Sequence, residues 1–138
     1  MERYTEPQDG SCWEKCRKLN GCPTGEARLT RGYNLPAKYV IHTVGPIWSR
    51  GNSGEPDLLA SCYKNSLNLG KDNELNSIAF PSISTGVYGY PFDEACKIAI
   101  TEIQNFLNES GRQIKVILAT HSQKDFDIYN SIYDNFRE

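Results

Sequence analysis

The sequence predicts an α/β fold, a three-layer α/β/α sandwich around a mixed sheet. Short apolar runs at residues 39–44, 77–80 and 114–120 have the composition of buried strands. Amphipathic helical patterns begin near residues 56 and 92 and alternate with these runs, and the second helix is predicted to end before Gly111. Alternating strands and helices favour helices packed on both faces of one sheet. At 138 residues the chain is one domain by length, with enough surface to bury a single core.

Composition narrows the function classes. The formal net charge is -2 and the pI is about 5.7, and no basic tract is present, so a nucleic-acid partner is disfavoured. No apolar run approaches the length of a membrane span, and no signal peptide opens the chain. The five cysteines form no even disulfide framework. We therefore expect a cytoplasmic protein that binds no membrane and carries no cofactor.

Residues 1–10 have no sequence pattern that predicts a helix or a strand. Residues 1–10 are polar and lack periodicity, so we expect a mobile lead before a single domain at residues 11–138. A short helix is expected directly after this lead. Cys12, Cys16 and Cys22 raise the question of a zinc site, but no histidine or CxxC pair completes a tetrahedral set. We therefore predict no metal site.

The next two strands carry a histidine that invites a catalytic interpretation. Residues 26–33 alternate apolar and polar side chains, which predicts a half-exposed strand near a sheet edge. Residues 38–44 are β-branched and apolar, as expected of an interior strand. His42 in that strand is interpreted as a core residue rather than a base. Cys96 falls on the apolar stripe of its helix, so we also expect an inert thiol and no nucleophilic-cysteine hydrolase.

A glycine-containing turn at residues 84–90 joins the strand at residues 77–80 to the following helix. It begins with the hydroxyls Ser84 and Thr85 and contains Gly86 and Gly89. Glycines that adopt positive φ let a ligand approach the backbone closely. Amides gathered beside a helix N-terminus form a phosphate cradle. The alternative is an ordinary βα loop in which glycine only turns the chain.

The amino-acid sequence of this turn is part of a longer similarity to a known protein family. Residues 84–91, Ser-Thr-Gly-Val-Tyr-Gly-Tyr-Pro, resemble the second ligand loop of macrodomains, in particular the MacroD-type, Appr-1''-p processing branch. Residues 25–27, 32–48 and 59–67 are similar to the same branch in the same order. The resemblance implies that the turn binds the diphosphate and ribose of ADP-ribose. The implied binding residues are Ser84, Thr85, Gly86, Val87, Tyr88, Gly89 and Tyr90.

The resemblance also implies a second binding position, for the adenine ring of ADP-ribose. His121 follows the strand at residues 114–120, and ligands of α/β sheets lie beyond the carboxyl ends of strands. The resemblance places an aromatic residue there, stacked on adenine. A histidine ring offers less stacking area than Tyr or Phe, so we expect weaker adenine binding. Tyr88 and Tyr90 are expected to present further flat faces beside the turn.

The family pattern also includes a segment that this sequence lacks. In macrodomains an edge strand, a central strand ending in Asn-Ala-Ala-Asn and a glycine-rich loop precede the region matched here. Without the central strand, the strands at residues 38–44 and 77–83 are left with unpaired backbone groups. They either close up, accept residues 1–10, or take an edge from another chain. We expect direct closure or a homodimer through the exposed edge.

Three functions follow from these observations. The first is a binding module for ADP-ribose or an ADP-ribosylated protein, with impaired or absent catalysis. The second is an ADP-ribosyl hydrolase or O-acetyl-ADP-ribose deacetylase of MacroD type, which needs a water positioned at the distal ribose. The third is a truncated fold with an association role. Hydrolysis should be poor, because the family draws the positioned water from the missing loop and none of the turn's side chains is a base near neutral pH.

Overall fold

The computed structural model describes residues 21–32, 35–111 and 113–137. An α/β arrangement is confirmed. The expected lead at residues 1–10, the helix after it, and Cys12 and Cys16 lie outside these ranges. The elements, in chain order, are β1 (Ala27–Arg31), β2 (Tyr39–Thr43), α1 (Glu55–Asp72), β3 (Ser77–Phe80), α2 (Phe92–Ser110), β4 (Lys115–Leu118) and α3 (Gln123–Arg137).

The strands form two separate pairs within the described ranges. β1 and β2 are antiparallel, with Leu29 opposite Ile41. β3 and β4 are parallel, with Ala79 opposite Ile117, and α2 makes the crossover between them. The expected direct closure of β2 onto β3 is wrong, since no ladder joins these two strands in the described structure. Between them lies a cavity of about 560 Å³. Among the described residues, each of these two strands therefore keeps one edge without a neighbouring strand.

The helices form where apolar residues recur at a spacing that places them on one face of the helix. In α1, Leu59, Cys62, Tyr63 and Leu67 recur at helical spacing, and all are buried in the hydrophobic core. α2 ends at Gly111, which adopts a left-handed φ of 65°, so the predicted helix end is confirmed. The core thus lies between α1, α2 and β3.

The last helix buries less of its apolar stripe than its sequence indicates. Tyr129 and Ile132 are buried, and the Tyr129 ring meets Phe92 edge-on with 5.5 Å between ring centroids. Phe126 and Tyr133 remain 48% and 43% exposed, so only part of the apolar stripe of α3 is covered. None of the helices within the described ranges combines the length and apolar character needed to cross a membrane.

Candidate ligand site at the turn of residues 84–90

The turn at residues 84–90 is closed by its own backbone. Ser84 adopts a left-handed φ of 67°, and its carbonyl accepts a hydrogen bond from the Tyr90 N–H at 2.9 Å. The Gly89 N–H donates to the Gly86 carbonyl at 3.1 Å. This turn follows β3 and precedes α2, as the sequence predicts.

The glycines of the turn play unequal conformational roles. Gly89 has a φ of 73°, which confirms the expected positive φ at that position. The same expectation for Gly86 is wrong, because Gly86 does not fall among the residues with positive φ. Ser84 takes the left-handed conformation instead. A non-glycine residue in this conformation costs roughly 1–2 kcal/mol, which the surrounding contacts offset.

Neither hydroxyl at the start of the turn is presented to solvent as a ligand group. Thr85 Oγ1 donates to the Ser82 carbonyl at 2.9 Å. Ser84 is fully buried, and its Oγ has no hydrogen-bond partner among the described residues. The turn therefore offers a ligand its backbone more than its hydroxyls.

Two consecutive amides are the groups that the turn does offer. No hydrogen bond within the described part of the chain engages the N–H groups of Val87 and Tyr88. The Val87 side chain is 96% exposed, so this stretch of backbone lies at the surface. It precedes the N-terminus of α2, whose cap residue Pro91 supplies no side-chain hydrogen bond. Unengaged N–H groups next to a helix N-terminus favour an anionic ligand.

A neighbouring loop braces this turn from one side. The Trp48 N–H donates to the Tyr88 carbonyl at 2.8 Å. The Trp48 and Tyr90 rings pack with 4.7 Å between centroids, and Tyr90 is only 3% exposed. The expectation that Tyr90 presents a ring face beside the ligand is therefore wrong, because this ring belongs to the core. The Tyr88 side chain is partly exposed.

The end of β2 approaches the turn so closely that it requires glycine. A Cβ on Gly45 would lie 2.1 Å from Ser84 Oγ and 2.6 Å from Ile83 Cγ2. Both distances are far inside ordinary van der Waals contact. Gly45 thus sets how near β2 comes to the start of the turn.

Glu55 holds the loop that braces the turn, and sequence reasoning did not identify it. Its buried carboxylate accepts backbone hydrogen bonds from Ser49 and Gly51, each at 2.8 Å, and from Ser53. Burial raises the pKa of Glu55, but these hydrogen bonds outweigh it and the net pKa is lowered. The signal available in the sequence was an acidic residue between glycine and proline at a helix start.

The second predicted position, His121, lies in a separate recess. The residue is exposed and lines a cavity of about 290 Å³ at the carboxyl end of β4. The Ala119 N–H donates to the Phe80 carbonyl at 2.8 Å, so β3 and β4 end side by side. The recess contains Phe126 and no residue of the 84–90 turn. Phe126 also lines this recess, although its spacing in the sequence is that of an apolar helix stripe.

Two residues with apparent catalytic potential are internal. His42 is 3% exposed, and its Nε2 lies 2.9 Å from Thr30 Oγ1. Burial lowers the pKa of His42 to about 4. Cys96 is fully buried, and burial raises the pKa of its thiol to about 12. The core interpretation of both residues is confirmed, and neither acts as a base or nucleophile near pH 7.

The described residues hold no cluster of three or more His, Cys, Asp or Glu side chains that fits a metal ion. Cys22 is the one member of the N-terminal cysteine group in the described ranges. Its Sγ lies 3.1 Å from the Glu26 carbonyl oxygen.

Comparison with known proteins gives consistent results. The family model "Macro domain" matches residues 9–99. The chain is 55% identical over 116 residues to the Macro domain-containing protein CT2219 of Chlorobaculum tepidum, covering 84% of this chain and 67% of that protein. It is 48% identical to human "ADP-ribose glycohydrolase MACROD2", covering 88% of this chain and 29% of that protein.

Solved structures similar to this chain are also macrodomains. The Oceanobacillus iheyensis macrodomain with ADP superposes with a TM-score of 0.85 at 41% identity, covering 95% of this chain and 70% of that one. A mutant of the same macrodomain with ADPR gives a TM-score of 0.84 at 42% identity, covering 95% and 72%. The chain spans from about half to two thirds of the length of the first curated relatives it matches. On this sequence and structural similarity, the chain belongs to the Macro domain family.

Proposed function

We propose that this chain binds ADP-ribose and that the turn at residues 84–90 holds the diphosphate. The observation that carries the proposal is the pair of surface amides at Val87 and Tyr88, whose N–H groups form no hydrogen bond with any described residue. The turn that contains these amides accepts a hydrogen bond from the Trp48 N–H and lies beside the N-terminus of α2. Backbone donors in a fixed turn suit a diphosphate, because they need no reorganisation when the anion binds. Macrodomain structures similar to this chain contain ADP or ADPR.

The adenine ring is assigned to the recess at the end of β4. His121 and Phe126 both line it and both are exposed. β3 and β4 are adjacent and parallel, so the turn after β3 and the recess after β4 lie at the same edge of the sheet. A nucleoside diphosphate sugar extended along that edge reaches both. The phenyl ring of Phe126 adds stacking area that His121 alone does not provide.

The biological ligand in this proposal is free ADP-ribose or ADP-ribose attached to a protein. The Val87 side chain projects into solvent, so this side of the turn does not close over the ligand. An open site accommodates a ligand that remains joined to a larger molecule. We place this activity in the cytoplasm.

Catalysis is proposed to be impaired or absent in this chain. The turn presents backbone amides, and none of its side chains is a base near neutral pH. His42 is neutral, buried and hydrogen bonded to Thr30. The second candidate function is ADP-ribosyl hydrolysis or O-acetyl-ADP-ribose deacetylation. It is favoured by the 48% identity to a protein named ADP-ribose glycohydrolase MACROD2.

Binding is tested by calorimetric titration of the whole chain with ADP-ribose up to millimolar concentration. The expected result is saturable binding that Gly86→Glu abolishes, because a carboxylate beside the amides repels the diphosphate and fills its space. Asn108→Glu adds the same charge at an exposed position of α2 and is the matched control. Absence of binding by the folded parent chain, or equal binding by Gly86→Glu, would refute the proposal.

The two candidate functions are separated by release of ADP-ribose from a mono-ADP-ribosylated protein, measured beside MACROD2. We expect this chain to turn over more than about tenfold more slowly than the control. A tenfold difference corresponds to about 1.4 kcal/mol in the activation barrier. A rate within that limit would contradict impaired catalysis and establish the hydrolase function.

A further inference from the structure

The loop at residues 46–54, between β2 and α1, surrounds a single carboxylate. Glu55 is the first residue of α1 and is 1% exposed. Its Oε2 accepts hydrogen bonds from the N–H groups of Ser49 and Gly51, each at 2.8 Å. Its Oε1 accepts one from the Ser53 N–H. Three backbone donors at alternate positions of the loop therefore converge on one side chain.

The backbone conformation of this loop is concave towards the carboxylate. Arg50 and Gly51 adopt left-handed φ values of 57° and 76°, and Gly54 has a φ of 77°. Turns of this kind direct neighbouring N–H groups towards one point and form a nest for an anion. Gly54 is the N-cap of α1 and has no side chain that could satisfy these donors. The carboxylate of Glu55 is therefore the anion that fills the nest of its own loop.

An ionised carboxylate satisfies this nest better than a neutral amide of the same shape. Burial raises the pKa of Glu55, but the hydrogen bonds from the loop N–H groups outweigh it and the net pKa is lowered. A glutamine side chain has one accepting oxygen, and its NH₂ group only donates. This NH₂ group would face at least one N–H of the loop. A neutral residue at position 55 therefore leaves part of the nest without an acceptor.

The same loop contacts the turn at residues 84–90 in two places. The Trp48 N–H donates to the Tyr88 carbonyl at 2.8 Å. The Trp48 ring packs on the Tyr90 ring with 4.7 Å between centroids. Burial is the main cause that raises the pKa of Tyr90, and the nearby negative charge of Glu55 contributes to it. A displacement of the loop is therefore transmitted directly to the peptide groups of the turn.

We propose that Glu55 is a positioning residue for the turn at residues 84–90, and that its carboxylate fixes the amides of Val87 and Tyr88 by holding the loop that contacts them. This role rests on the proposed function, because those two amides are the groups assigned to the diphosphate. The carboxylate lies in its own loop and acts through Trp48. Donors that are held in place before the ligand arrives lose less conformational freedom when it binds. ADP-ribose affinity therefore depends on a side chain that does not contact the ligand.

The test is Glu55→Gln, which removes the charge and keeps the shape, with Asp57→Asn as the matched control. Asp57 is exposed in the first turn of α1, so its variant loses the same charge at the same helix end. In calorimetric titration with ADP-ribose, Glu55→Gln should bind about tenfold or more weakly, and Asp57→Asn within about twofold of the parent. Loss of a negative charge near an anionic ligand would by itself tighten binding. Unchanged or tighter binding by Glu55→Gln overturns the positioning role.

Amide spectra of the ligand-free, ¹⁵N-labelled chains provide a readout that a general loss of stability would not move. In Glu55→Gln the amide resonances of Trp48 and Gly89 should shift, because the Gly89 N–H belongs to the peptide group whose carbonyl accepts the Trp48 hydrogen bond. Asp57→Asn should leave both resonances in place. Unshifted resonances in Glu55→Gln overturn the proposal. If the parent chain binds no ADP-ribose, the proposed function fails, and these ligand-free spectra still decide whether Glu55 positions the turn.

Circular dichroism verifies that both variants fold. If Glu55→Gln does not fold, hydrogen exchange of the parent chain decides the question. One carboxylate holds the N–H groups of Ser49, Gly51 and Ser53. These amides and the Trp48 amide should therefore open together, with protection factors within about threefold of one another. A Trp48 amide that stays protected while the other three exchange freely overturns the proposal.

Discussion

Replacing Gly45 by alanine tests the contact between β2 and the candidate site. The added Cβ would lie 2.1 Å from Ser84 Oγ and 2.6 Å from Ile83 Cγ2, where ordinary contacts begin at 3.4 Å. The hydroxyl must therefore recede by more than an ångström, although both neighbours are buried. Overpacking of this kind costs about 1–3 kcal/mol. Because Ser84 begins the turn, its displacement should also weaken ADP-ribose binding.

Urea unfolding followed by circular dichroism measures the cost. With a slope of about 2 kcal/mol per molar urea, a loss of about 2 kcal/mol lowers the midpoint by about 1 M. Gly111→Ala is the control, since Gly111 also has a positive φ of 65° but its Cβ would meet no atom within 4 Å. This control carries backbone strain without the clash and should leave ADP-ribose affinity unchanged. An unchanged midpoint and unchanged affinity for Gly45→Ala would refute the close packing of β2 on the turn.

Three further predictions concern single residues. His121→Tyr should tighten ADP-ribose binding about two- to tenfold, because a larger ring stacks better; unchanged or weaker affinity in calorimetry would remove this residue from the adenine site. Ser84→Ala should raise the free energy of unfolding by about 1 kcal/mol, because it deletes a buried hydroxyl without a described partner; a lower urea midpoint would show that the hydroxyl is bonded. The pKa of His42 is lowered to about 4 in the folded chain. Because the unfolded chain protonates His42 at a higher pH than the folded chain, the contribution of neutral His42 to the free energy of unfolding is complete above about pH 6.5. This contribution is lost as the pH falls towards 4. Urea midpoints across this range should fall less steeply in His42→Gln, and identical slopes would contradict this assignment.

Local sequence signals predicted several features correctly. The β-branched run around Ile41 and the apolar run at Ile78 both form strands. Gly111 ends its helix because glycine adopts the left-handed conformation without steric cost. His42 in an apolar strand is a core residue. Each of these outcomes depends on the residue itself and its nearest neighbours in sequence.

Features that depend on distant contacts were not predictable in this way. Ser84 takes the positive φ expected at Gly86, because its position is fixed by contact with Gly45 and by the hydrogen bond from Tyr90. Tyr90 is buried because Trp48, from another loop, covers its ring. The buried carboxylate of Glu55 depends on a loop that folds back over the start of α1. Spacing along the chain contains no information on these contacts.

The proposed binding mode requires that the unengaged amides of the turn hold the diphosphate of ADP-ribose. Titration of the ¹⁵N-labelled chain with ADP-ribose, followed by amide chemical shifts, observes these two groups themselves. We predict that the largest shifts occur at Val87 and Tyr88, with smaller shifts around His121. AMP, which carries one phosphate and no distal ribose, should shift the two turn amides less at equal occupancy. Saturable binding that leaves Val87 and Tyr88 unshifted would contradict this binding mode.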